Sequence, residues 1–204
     1  IRRHPLTARN FEYYSEDPCL SGEMAAGMIK GIQGEGGGAC VKHFACNNSD
    51  TRRTRLNCMV DPRALHEIYL AGFERAIKKA APAAVMGSYN QINGEQACES
   101  PWLLSHVLRD LWGFKGAVLS DWGAVKDSVK AVKAGLDLQM PHSIQYMDSV
   151  KKALETGELS SQDLDEHCER ILSLVFTYSM EGRERPKVDW ESHHRLARRA
   201  ACEC

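Results

Sequence analysis

The most direct chemical signal in the sequence is one octapeptide, Gly116-Ala117-Val118-Leu119-Ser120-Asp121-Trp122-Gly123. Ala117, Val118 and Leu119 read as a short buried strand entered from a glycine-bounded turn, and the strand exits on Asp121. A carboxylate there is placed to do chemistry, because the C-terminal strand ends of α/β barrels carry the active site. The plainer alternative is a helix N-cap, since a helix-like pattern follows from Ala124. Two other short strands also exit on reactive types: Ala39-Cys40-Val41 runs into Lys42-His43, and Ala83-Ala84-Val85-Met86 runs toward Tyr89. Equivalent ends of parallel strands surround one pocket. The residue types suit a sugar. Trp122 offers a flat apolar face to a pyranose ring. Arg9, Lys42, His43 and Arg53 offer charged donors to hydroxyls. An ionised Asp121 among them could attack an anomeric carbon through an oxocarbenium-like transition state.

The elements that must position these residues can be read along the chain. Asp17 and Pro18 open a helix over 18–33, with Leu20, Met24, Met28 and Ile32 on one face. Glycines at 34–38 end it without the pattern of a phosphate loop. A polar loop over 45–61 follows the first strand, a position where long loops are usually functional. Pro62 starts a helix to 80, with Leu65, Tyr69, Phe73 and Ile77 inward. Further helices are predicted over 101–111, 124–134, 143–155 and 161–178, with a strand over 135–141. A polar connection at 181–186 precedes a last helix near Trp190. Strand and helix alternate about every 30 to 40 residues, the pattern of a parallel α/β fold. Four good strands fall short of the eight that close a (β/α)₈ barrel. The expected fold is therefore an incomplete TIM-type barrel, the C-terminal portion of a barrel domain, over 1–180. Residues 181–204 form a connection and helix leading toward a second domain. A flavodoxin-like open sheet is the structural alternative.

Composition narrows the function classes. Lys and Arg number 26 against 27 Asp and Glu, so no charge excess points to nucleic acid or an anionic membrane. No apolar run approaches a membrane span. Eight cysteines are scattered without a C-x-x-C pair, which argues against zinc and for reduced thiols in a cytoplasmic protein. No cofactor or metal is expected, and the oligomeric state stays open. Asp61, Glu67, Asp137 and the His193-His194 pair read as structural: Asp61 as a helix cap, Glu67 paired with Arg63, and Asp137 as a hydrogen-bonded acid pointing into the barrel.

Several ordered segments together resemble glycoside hydrolase family 3, the β-glucosidase family. They are Arg9-Asn10-Phe11-Glu12, Lys42-His43-Phe44-Ala45 with Asn47-Asn48, Val60-Asp61-Pro62-Arg63, Gly87-Ser88-Tyr89-Asn90 and Leu119-Ser120-Asp121-Trp122-Gly123, and the resemblance extends to His193-His194-Arg195-Leu196. It implies a retaining exo-β-glycosidase that removes terminal β-D-glucosyl units from a small β-glucoside or oligosaccharide through a covalent intermediate. Asp121 matches the nucleophile. Arg9, Lys42, His43 and Arg53 match residues gripping the sugar hydroxyls, Tyr89 the tyrosine beside the nucleophile, and Trp122 a wall of that subsite. Two family features have no counterpart: an early Asp-Gly-Pro-like segment and the second domain that supplies the acid/base Glu. The acid/base is therefore expected outside this chain. A catalytically incomplete sugar-binding barrel fragment and a β-xylosidase-type member are the alternatives, with Trp122 favouring glucose because xylosidases often carry Cys there.

Overall fold

The computed structural model describes residues 1–179 and 187–204. Its centre is a parallel sheet of three strands, β1 (Cys40–Phe44), β2 (Ala84–Gly87) and β3 (Ala117–Leu119), in that spatial order. A parallel bridge from Leu119 to Leu138 adds the 135–141 segment alongside β3. Parallel neighbours need long crossovers, and helices supply them. A helix over 62–80 (α2) links β1 to β2, and Trp102–Leu111 (α3) links β2 to β3. Helices on the sheet explain the near-continuous apolar strands, with Val85 and Val118 fully buried against Leu104, Val107 and Leu108. This is the α/β barrel-type arc expected from the sequence.

The first helix, α1 (Pro18–Gly34), is capped as anticipated: Asp17 Oδ1 accepts the Leu20 N–H at 2.7 Å. Its buried face, however, is Gly22, Ala26 and Ile29, whereas Leu20, Met24, Met28 and Ile32 are exposed. Close backbone approach decides this. A Cβ on Gly22 would stand 2.9 Å from the Gly72 carbonyl and 2.8 Å from the Arg75 Cβ, so small residues seat α1 on α2. α2 buries Leu65 and Ile77 and packs Tyr69 and Phe73 against the core, as the periodicity indicated. Asp61 caps it through the Ala64 N–H at 3.0 Å, and Arg63 pairs with Glu67.

Two further expectations, on the 45–61 segment and the helix after Trp122, are revised. The segment 45–61 is not wholly loop: Asn57–Cys58 pairs in parallel with Gln91–Ile92, which turns back on Glu95–Gln96. Strands of two polar-flanked residues carry no readable alternation. The helix after Trp122 starts later, as α4 (Ser128–Ala134), with Asp127 accepting the Val129 and Lys130 N–H groups. Asp121 is therefore not its cap. Beyond it lie α5 (Ile144–Glu155), α6 (Ser161–Tyr178) and α7 (Trp190–Glu203). The polar connection at 181–186 lies outside the described residues.

Asp137 is structural, but it faces the helical layer rather than the barrel interior. Its Oδ2 accepts from the Val118 N–H and from Arg109 of α3, both at 2.7 Å. Its Oδ1 meets His167 at 2.7 Å and Arg170 at 3.0 Å, both on α6. Burial opposes its charge, yet the bonds from His167, Arg109, Val118 and Arg170 outweigh this and lower its pKa. The stabilisation is thus full above the ordinary value of 3.8 and fades as pH falls below it. Asp137→Asn in the full-length protein should cost about 3–5 kcal/mol, because two guanidinium groups would lose their buried counter-charge. Urea unfolding checks this, and an unchanged midpoint would refute it.

Candidate active site

The parallel sheet delivers its three strand exits to one end, and each exit loop is fixed by backbone bonds. Ser88 Oγ and Asn90 Nδ2 donate to the Ala45 carbonyl at 2.8 and 3.2 Å, tying the β2 exit to the β1 exit. Both side chains are fully buried, and Tyr89 stands between them. The Gln96 amide donates to the Tyr89 and Ala124 carbonyls at 2.6 and 3.0 Å, joining the β2 and β3 exits. At β3, the Ser120 N–H donates to Leu138 and the Asp121 N–H to Gly87. The chain then turns at Gly123, whose φ of 76° favours glycine, and the Gly123 N–H donates to Met140. Asp121 is thus held from both sides.

The Asp121 carboxylate, 14% exposed, has two unlike oxygens. Oδ1 accepts the Trp122 N–H at 2.7 Å. Oδ2 is buried and accepts no aligned hydrogen bond among the described residues. Around it stand His43 Nε2 at 3.3 Å and Arg9 Nη1 at 4.0 Å. His43 is almost wholly buried, and burial, followed by the nearby Arg9 charge, lowers its pKa to about 4 despite Asp121. It is neutral at neutral pH. Burial and then the adjoining Asp121 carboxylate raise the Tyr89 pKa.

Not all the sequence-selected residues touch Asp121. Lys42 Nζ lies 3.4 Å from Glu12 Oε2, and Glu12 also grips Arg9 through both carboxylate oxygens. Arg53 stacks on Tyr89, 4.5 Å from the ring centroid, and pairs with Asp50 at 3.3 Å. Trp122, next in the chain to Asp121, is 64% exposed. Lys42, His43, Arg9, Tyr89 and Trp122 therefore share one end of the sheet with Asp121, and Arg53 joins through Tyr89.

Sequence reasoning left out three members. Glu12 links Arg9 to Lys42, and its pKa is lowered chiefly by the bond from Arg9. Tyr13 places its hydroxyl 2.8 Å from His43 Nδ1, and Asn47 Nδ2 donates to that hydroxyl at 3.1 Å. Glu12 and Tyr13 adjoin Arg9 in the same polar stretch, which was the available signal. Asn47 belongs to the Asn47-Asn48 pair that follows Lys42-His43-Phe44-Ala45, and both asparagines are buried.

No group of three or more His, Cys, Asp or Glu side chains among the described residues is arranged to hold a metal ion. No described helix is long and apolar enough to cross a membrane.

With this geometry in hand, comparison with known proteins is informative. The chain is 50% identical over all 204 residues to the thermostable beta-glucosidase B of Acetivibrio thermocellus, and covers 27% of that protein. It is 43% identical over its full length to an exo-alpha-(1->6)-L-arabinopyranosidase of Bifidobacterium breve, again covering 27% of it. Among solved structures, beta-glucosidase 3B of Thermotoga neapolitana in complex with glucose superposes with a TM-score of 0.92 at 45% identity. That match covers 97% of this chain and 29% of the other. The chain thus spans little more than a quarter of the length of these relatives. Residues 1–174 match the glycosyl hydrolase family 3 N-terminal domain, and the chain belongs to that family.

Proposed function

We propose that residues 1–204 form part of a retaining exo-β-glycosidase acting on terminal β-D-glucosyl groups, with Asp121 as the nucleophile. The observation that carries the reading is the asymmetry of the Asp121 carboxylate. Oδ1 is anchored by a backbone N–H, and Oδ2, with no aligned hydrogen bond among the described residues, faces Arg9 and His43. In the first half-reaction Oδ2 attacks the anomeric carbon while the bond to the leaving oxygen breaks and a general acid protonates that oxygen. In the second, water gives its proton to the same group and displaces Asp121, restoring the carboxylate. Arg9, Lys42, His43 and Arg53 bind sugar hydroxyls, Tyr89 braces Arg53, and Trp122 receives the ring face. The glucose held by the Thermotoga neapolitana relative supports a sugar of this class. A β-xylosidase-type specificity and a sugar-binding role without catalysis are the competing readings.

Retaining hydrolysis needs a second carboxyl group about 5 Å from the first, with a raised pKa. Glu12 is the nearby carboxylate, and Arg9 and Lys42 push its pKa the opposite way. The reading places the acid/base outside residues 1–204, with 1–180 contributing to the barrel and 181–204 leading onward.

Asp121→Asn in the full-length protein should abolish trapping by a 2-fluoroglucoside and lower kcat by several orders of magnitude. A peptide map showing the label on another carboxylate would overturn the assignment. Glu12→Gln should release Arg9 and Lys42 together and weaken glucose binding about tenfold, read by calorimetry, since hydrogen bonds to charged groups are worth roughly 1.5–3 kcal/mol. Binding of normal strength would remove these two cations from the sugar site. Residues 1–204 expressed alone should be inactive on aryl β-glucosides for want of the acid/base, and aggregation-prone through the open sheet edges. A soluble fragment with near-normal turnover would contradict this.

A further inference from the structure

Three polar groups behind Asp121, with His43 and Asn47 buried and Tyr13 half-buried, form a hydrogen-bonded chain. Asn47 Nδ2 donates to the Tyr13 hydroxyl at 3.1 Å, and that hydroxyl lies 2.8 Å from His43 Nδ1. On the far side of the imidazole, Nε2 stands 3.3 Å from Asp121 Oδ2. We infer that Tyr13 and Asn47 are positioning residues that lock His43 in its Nε2–H tautomer, so that an N–H and never a lone pair faces Oδ2 of Asp121.

Both ends of the imidazole constrain its tautomer. A phenol has one proton. With the Asn47 amide donating to its oxygen, the Tyr13 O–H can be given to His43 Nδ1, and a nitrogen that accepts it carries no proton. The hydrogen bond made by one ring nitrogen fixes which nitrogen carries the proton. From the other end, the reverse tautomer would set a bare nitrogen against a buried carboxylate oxygen at 3.3 Å, two lone pairs facing each other. Both ends select the same state. His43 and Asn47 are 3% and 7% exposed, so water does not readily substitute for Tyr13. Burial raises the Tyr13 pKa to about 12, which keeps the phenol a donor. The charged groups around the imidazole, Arg9, Lys42, Glu12 and Asp121, leave it neutral, with burial the largest influence.

If Asp121 is the nucleophile, as proposed above, the consequence is specific. A neutral N–H can orient Oδ2 or a sugar hydroxyl without becoming a competing acid, because it gives up no proton at working pH. Its alignment with Oδ2 is imperfect in the free protein and would tighten with sugar in place.

The test is ¹⁵N NMR of the full-length protein labelled at histidine, with the His43 signals identified by their absence in a His43→Gln sample. The expected spectrum at neutral pH has a protonated Nε2 and a bare, hydrogen-bonded Nδ1. In Tyr13→Phe, which keeps the ring, the Nδ1 signal should lose its hydrogen-bond shift and the two tautomers should mix. Turnover should fall about 10²-fold, as for a misplaced group, with a much smaller change in KM. A wild-type His43 protonated on Nδ1, or on both nitrogens, would overturn the inference even if Tyr13→Phe failed to fold. So would a Tyr13→Phe protein with unchanged tautomer and unchanged kcat. The spectrum reports the tautomer whether or not Asp121 is the nucleophile, so failure of the catalytic reading is seen separately, as fluorosugar label on another residue with the tautomer intact.

Discussion

A carboxylate withdrawn from water must have its charge answered by donors or cations, or burial becomes prohibitive. Asp121 and Asp137 lie on neighbouring strands and face the same problem, and their solutions differ. Asp137, with no exposed side-chain surface, receives two guanidinium groups, an imidazole and a backbone N–H. Its lone pairs are used, and it ties α3 and α6 to β3. Asp121 receives one backbone N–H on Oδ1, while Oδ2 has cations and an imidazole near it but no aligned bond. A saturated carboxylate stabilises a fold. An unsaturated one, held rigid, keeps a reactive oxygen available at a cost in stability offset elsewhere.

The strand order makes that rigidity possible. Since β1, β2 and β3 run parallel, their exits lie together, and side chains 40 residues apart in sequence need only short loops to meet. The loops then hold each other through buried groups such as Ser88, Asn90 and Gln96 rather than through the site residues themselves. Arg9, Lys42 and Arg53 are held in turn by Glu12 and Asp50, which fix where their charges stand at this end of the sheet.

Much of this was legible in the sequence, and the failures have physical causes. Apolar strand runs, Pro-initiated helices and Asp caps are local signals, so α1, α2, α5 and α6 appeared close to their true bounds. The inward face of α1 was misread because size, not hydrophobicity, decides how closely two helices approach. Gly22 admits the backbone at Gly72 where a Met could not. The strand-exit residues were legible because topology alone places them. The residues behind them were not. Tyr13 lies 30 residues from His43 in the chain, with no spacing rule to connect them, and Asn47, though near His43 in sequence, bonds to Tyr13 from 34 residues away. Asp137 reads as structural in the sequence, but its partners on α6, out of reach of any local pattern, set its direction.

The same electrostatics also decide what the site cannot do alone. Two-carboxylate hydrolysis depends on environments that drive one acid toward the charged form and the other toward the neutral form. Every cation near the strand exits pulls in one direction only. Arg9 and Lys42 together hold Glu12 ionised, and Arg9 also faces Asp121. A group meant to donate a proton at neutral pH would lose that ability if it entered this cluster on the same side. An acid/base serving the proposed reaction is therefore expected to stand apart from Arg9 and Lys42, where neither cation holds it ionised.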